Sequence, residues 1–153
     1  MATIHFDDFA PGQVYPLGRR FLTRDEIVAF AREWDPQPFH LDEQAAAGSI
    51  YGGLIASGWQ TVCVFMRLFA DGLLNRSAAM GSPGVDEVRW LRPVRPGDTL
   101  DASVEVLEVR PSRSKPDRGI VRLRSAMSNQ HQEEVLSFIA NVMFRRRAAA
   151  RRD

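Results

Sequence analysis

Apolar and polar residues alternate at two different periods, and the change of period splits the chain into a helical first half and a stranded second half. After a Pro-Gly turn within Phe6 to Gly12, Gln13 to Phe21 reads as a short first strand. Thr23-Arg-Asp-Glu26 is a capping box, in which the hydroxyl and the carboxylate each satisfy an orphan N–H at a helix start. Ile27, Phe30, Ala31 and Trp34 then recur at helical spacing and predict a helix from Arg24 to Trp34. It must end near Asp35, because a residue that precedes proline is pushed out of the helical region. Pro36 and Pro38 are expected to keep the segment up to His40 extended. Asp42 can cap a short helix, Glu43 to Ala47, which Gly48 ends. A glycine-rich turn, with Gly52, Gly53 and Gly58, leads into the run from Trp59 to Ala70. That run is apolar on nearly every side, interrupted mainly by Arg67, and predicts a helix buried all round.

A helix of that kind needs a sheet around it, and the second half supplies one. Val85 to Leu91, Asp98 to Val109, Ile120 to Ser128 and Val135 to Phe144 read as strands. In the third of these, Val121 and Leu123 alternate with Arg122 and Arg124, as in a half-buried strand. Pro93 to Gly97 and Asn129 to Glu133 are turns, and Pro111 to Gly119 is an exposed hairpin loop. The fold class is therefore α+β: one domain in which an antiparallel meander surrounds a central helix.

Composition changes this picture little. With 153 residues, 44% of them apolar and 25% charged, the chain matches a single globular domain able to bury a real core. A net charge of +1 gives no overall pull toward nucleic acid or an anionic membrane. The local exception is the C-terminus, where Arg145, Arg146, Arg147, Arg151 and Arg152 crowd together; the run is expected to be a solvated tail, with phosphate binding the lesser alternative, and residues 148–153 lie beyond the domain as a basic tail. Cys63 is the only cysteine, which excludes an intrachain disulfide and a cysteine-based metal cluster. Its position among Val62, Val64 and Phe65 predicts a buried core thiol. The N-terminus lacks a signal-peptide pattern, and no apolar run is long enough to span a bilayer, so a cytoplasmic location is expected.

The chemistry concentrates between Trp34 and Leu74. Asp35 and His40, five positions apart and stiffened by two prolines, can converge on one water molecule if the bend between them is tight. Imidazole exchanges protons near neutrality, and a carboxylate beside it tunes both groups. The bland alternative is that Asp35 caps its turn and His40 only hydrogen-bonds within it. A metal site through Asp35, His40 and Asp42 is a further reading of the same residues. Gly58 stands where a helix begins, and free N–H groups there can hold a ligand oxygen, unless the glycine serves packing alone. Ser57 lacks a nucleophile-elbow motif and is expected to cap the helix.

Three segments together resemble the MaoC-like dehydratases, the (R)-specific enoyl-CoA hydratase branch of the hotdog-fold superfamily. The first is Asp35-Pro-Gln-Pro-Phe-His40-Leu-Asp42, the second the glycine eighteen residues after the histidine, in Leu54-Ile-Ala-Ser-Gly58-Trp. The third is Val88-Arg-Trp-Leu-Arg-Pro93-Val-Arg-Pro-Gly97-Asp98. The resemblance spans nearly the whole chain. It implies a five-stranded antiparallel sheet wrapped on the central helix, and a homodimer whose substrate tunnel lies near the subunit interface. It also implies reversible addition of water across the 2,3 double bond of an acyl-CoA. Asp35 and His40 would position and deprotonate the water and protonate C2, and the Gly58 N–H would hold the thioester oxygen. No metal or organic cofactor is implied beyond the CoA of the substrate.

Around the dyad, Trp34, Gln37, Phe39, Ser57 and Trp59 are the expected substrate-binding residues. Gln37 departs from the family's usual Asn, and Trp34 and Phe39 are bulkier than the family pattern, which puts substrate range in question. Arg89, Arg92 and Arg95 are candidates for the CoA phosphates. Two rivals share the fold. A hotdog thioesterase would direct water at the thioester carbonyl, and a non-catalytic acyl-CoA-binding protein would keep the tunnel without the dyad.

Overall fold

A computed structural model describes residues 1–148. Strand β1 (Val14–Phe21) is followed by helix α1 (Arg24–Trp34), two short helices, α2 (Pro38–Leu41) and α3 (Glu43–Ala47), and the long helix α4 (Gly58–Gly72). Strands β2 (Gly84–Trp90), β3 (Thr99–Pro111), β4 (Arg118–Ser128) and β5 (Glu134–Arg145) complete the chain. All pairings are antiparallel, in the order β1-β3-β4-β5-β2. This is the α+β architecture expected, a five-stranded sheet wrapped on one long helix. The meander is interrupted once: β2 does not pair with β3, but crosses to the far edge beside β5.

The core lies between α4 and the concave face of the sheet. Thr61, Val64, Phe65 and Phe69 point from α4 toward Val104, Val106, Leu123 and Phe138, all buried. At its C-terminal end α4 approaches β1 so closely that a Cβ on Gly72 would stand 2.8 Å from the Leu17 carbonyl oxygen, so a glycine belongs there. The Thr23 capping box forms as expected, with Thr23 Oγ1 accepting from Glu26 N–H and Glu26 accepting from Thr23 N–H.

Four expectations need correction. The central helix is not buried all round: Trp59, Cys63 and Met66 face outward, because one sheet covers only one side of a helix. Cys63 is therefore an exposed thiol, not a core one. The segment before His40 is extended only as far as Gln37, because Pro38 occupies the first turn of α2, where its fixed φ suits a helix and its missing N–H costs nothing. The described part of the arginine run is not a free solvated tail. Arg146 pairs with Asp7 at 3.2 Å and Arg147 with Asp8 at 2.6 Å, fastening the end of β5 to the N-terminal turn. Arg151 and Arg152 lie outside the described residues.

Candidate active site

Asp35 stands where α1 stops. Its backbone N–H still reaches the Ala31 carbonyl, but its own φ and ψ, −151° and 71°, have left the helix, as a residue before proline must. The chain turns at once, and the single turn of α2 carries His40 inward, where it is 4% exposed. The buried strip Leu54–Ser57 runs beneath both residues, held by Ile55 N–H to the Phe39 carbonyl and Ala56 N–H to the Val94 carbonyl. Residues five apart in sequence thus face each other across one bend, with His40 Nε2 3.2 Å from Asp35 Oδ2.

The hydrogen bonds assign most of the protons. His40 Nδ1 lies 2.8 Å from the Ile55 carbonyl oxygen, which only accepts, so Nδ1 carries a hydrogen. Nε2 is left as the nitrogen that exchanges protons, and it faces the carboxylate. Asp35 Oδ1 accepts from Gln37 Nε2 at 2.7 Å, and Oδ2 accepts from the Ser57 hydroxyl at 2.7 Å. Burial works to raise the Asp35 pKa, but the bonds from Ser57 and Gln37 and the neighbouring imidazole together outweigh it, holding the carboxyl below its ordinary range. Gln37 thus still reaches the carboxylate despite the extra methylene.

Gly58 opens α4, with Ser57 as the N-cap, its hydroxyl accepting from Trp59 N–H at 3.3 Å. The Gly58 N–H has no partner within the helix, as expected for a first-turn donor. A Cβ at this position would lie 2.5 Å from Trp90 Nε1, so the indole rests directly on the glycine α-carbon. Asp35, His40 and Gly58 all line one open cleft of about 420 Å³, together with Gln37, Phe39 and Trp59. Phe39 packs edge-on against His40, with ring centroids 4.6 Å apart.

The remaining expected site residues are arranged differently. Trp34 is 69% exposed at the end of α1 and takes no part in the cleft, because the turn at Asp35 sends the chain away from it. Ser57 is fully buried behind the cleft and touches the carboxylate, not the open space. Among the arginines, Arg92 lines the cleft while paired with Glu133 at 3.0 Å. Arg95 donates to the Tyr51 carbonyl and Arg89 to the Val88 carbonyl. Asp42 accepts from Ala45 N–H at 2.7 Å as the cap of α3. Tyr51, Ile55, Trp90 and Val94 also line the cleft and were given no site role from sequence. Trp90 had a visible signal, an aromatic residue three positions before Pro93. Its aim toward Gly58 follows a bulge in β2 between Asp86 and Arg89, where Glu87 has φ of 54°.

The Ser57 bond yields a pH-dependent expectation. The hydroxyl stabilises the ionised carboxyl, so in Ser57→Ala the Asp35 pKa rises. The Asp35 contribution to stability is present above the ordinary carboxyl pKa and is lost as pH falls through its lowered folded value, and the variant loses part of it. A hydrogen bond to a charged group is worth about 1.5–3 kcal/mol, so the variant should lose up to that much stability at neutral pH. Urea titrations across pH check this: the stability lost on acidification should be smaller in the variant, and an equal loss would mean that Ser57 does not hold the Asp35 charge.

Comparison with known proteins bears on this site. A family model described as "MaoC like domain" matches residues 8–128. The protein YdeM of Bacillus subtilis is 31% identical over 140 residues, covering 92% of this chain and 98% of that one. A mesaconyl-CoA hydratase of Cereibacter sphaeroides is 40% identical over 87 residues; the match covers 57% of this chain and only 24% of the hydratase. Among solved structures, the MaoC-like dehydratase from Rhodospirillum rubrum superposes with a TM-score of 0.90 at 42% identity, covering 95% of this chain and 99% of that one. The R-hydratase PhaJ1 from Pseudomonas aeruginosa gives 0.77 at 25% identity, covering 99% and 94%.

Proposed function

This chain belongs to the MaoC-like dehydratase family, and from that premise we propose that it catalyses reversible hydration of the 2,3 double bond of an acyl-CoA thioester. The observation that carries the reading is the Asp35–His40 pair at 3.2 Å, opening on the same cleft as the Gly58 N–H. A thioester whose oxygen accepts from the Gly58 N–H becomes electrophilic at C3. Water held by Asp35 and His40 adds its oxygen to C3, its O–H bond breaks, and the proton passes to the pair. Electron density moves through C2 onto the thioester oxygen, where the Gly58 donor at the positive end of α4 stabilises it. The enolate collapses as the pair delivers a proton to C2, and the site returns to its starting charge.

The geometry supports this division of labour. His40 Nδ1 is committed to the Ile55 carbonyl, so one imidazole nitrogen handles the travelling proton in a fixed orientation. Asp35 stays ionised and offsets the charge that the imidazole acquires. Neither step calls for a metal or an organic cofactor. The active assembly is a homodimer, since Met66, Val85 and Leu91 are each about half exposed and present apolar surface that a second copy can cover.

The test follows the enoyl-thioester absorbance with crotonyl-CoA and records free thiol in parallel, on protein whose sedimentation is measured. Loss of the absorbance without thiol release, by a dimer, is the expected result. Thiol release would instead assign a thioesterase. An unchanged spectrum across acyl lengths would leave an acyl-CoA-binding protein without turnover.

A further inference from the structure

We propose that the Trp90 indole N–H is a second donor to the thioester oxygen, acting beside the Gly58 N–H. The inference rests on the enoyl-thioester reading above and adds a catalytic residue to it. Trp90 ends the edge strand β2, yet its ring lies on the first residue of α4. A Cβ on Gly58 would stand 2.5 Å from Trp90 Nε1, 2.6 Å from Cε2 and 2.9 Å from Cδ1. The nitrogen is therefore the ring atom nearest that position. The Cα–Cβ and N–Cα bonds add about 1.5 Å each, so Nε1 and the Gly58 nitrogen are at most about 5.5 Å apart. Donors at that separation can both reach one oxygen, since each bond spans about 2.7–3.1 Å.

The ring is held in this place from several sides. Its backbone pairs with Leu136 of β5, and its outer side meets the Trp59 ring at 78°, with centroids 5.2 Å apart. Both ring contacts are made within one chain. Trp90 lines the same cleft as Asp35, His40 and Gly58, and among the described residues its N–H is paired with no acceptor. An indole nitrogen donates and does not accept, so it suits an oxygen that gains charge and not a proton-transfer step. Phenylalanine or tyrosine at this position would cover the glycine as well, but only tryptophan brings a donor to it. As electron density moves onto the thioester oxygen, both N–H groups tighten on it. When C2 takes its proton the density returns to the carbonyl, and Nε1 keeps its hydrogen throughout.

Trp90→Phe keeps an aromatic ring on Gly58 and removes the donor. Its kcat with crotonyl-CoA should fall roughly 10²-fold, the scale for one lost oxyanion donor, while its Kd for butyryl-CoA changes by less than about threefold. A second readout uses the wild-type protein. The chain has three tryptophans, and the indole N–H signal of Trp90 in an NMR spectrum is the one retained in both Trp34→Phe and Trp59→Phe. Saturating butyryl-CoA, which has no double bond to hydrate, should move that proton downfield. S-butyl-CoA, the thioether that lacks the carbonyl oxygen, should leave it in place. An unchanged kcat in Trp90→Phe, a loss confined to butyryl-CoA affinity, or an indole signal that ignores butyryl-CoA or answers both compounds alike would overturn the proposal. Failure of the hydratase reading is separable: no enoyl-CoA would be hydrated, while a shift with butyryl-CoA alone would still assign the Trp90 N–H to the thioester oxygen.

Discussion

Asp35→Asn should lower kcat/KM for crotonyl-CoA hydration by about 10²–10⁴-fold, the range for removing a positioned general acid–base group. The substitution preserves shape and removes the charge. The carboxylate accepts from Gln37 on Oδ1 and from Ser57 on Oδ2, and Oδ2 also lies 3.2 Å from His40 Nε2. An amide accepts through one oxygen only, so its NH2 group must face at least one of these donors. That mismatch is expected to cost about 1–3 kcal/mol of stability, because a buried donor left without an acceptor is not replaced by water. A urea titration beside the kinetics separates the two effects. A variant with normal stability and activity within tenfold of wild type would remove Asp35 from the mechanism.

His40→Ala is the second large loss, expected at 10²–10⁴-fold or more in the same assay, with a different stability signature. The imidazole is buried and takes the Ile55 carbonyl through Nδ1, so alanine leaves a cavity and an unpaired buried acceptor. His40→Gln tests the chemistry more cleanly, since its amide can donate to the Ile55 carbonyl yet exchanges no proton near neutrality. Stability recovered without activity would assign His40 to proton transfer. Activity recovered along with stability would reduce it to a packing residue.

How far the site was legible depended on whether local or distant parts of the chain decide each position. Asp35 and His40 lie on one bend set by two prolines; spacing left their convergence open and the family resemblance favoured it, even though α2 proved helical where an extended segment was expected. Trp34 is adjacent to Asp35 in sequence but lies outside the cleft, because one φ/ψ step at the end of α1 separates their directions. Ser57 read as a helix cap, and it is one. That it also holds Asp35, twenty-two residues earlier, follows only from the packing of the Leu54–Ser57 strip beneath the dyad.

Local order carries the signals that the sequence alone determined: the capping box at Thr23, the stops at Asp35 and Gly48, and the strand alternation in β4. Each depends on contacts within a few residues, where backbone sterics and side-chain periodicity leave few options. The family pattern was also readable from residues at fixed spacing, and the match over residues 8–128 bears it out. The tertiary structure decided which face of α4 is covered, and so that Cys63 is exposed. It sent β2 to the edge beside β5, and its bulge laid Trp90 on Gly58. These depend on pairings across long stretches of chain, where many partners satisfy the same apolar pattern and only the closed sheet selects among them.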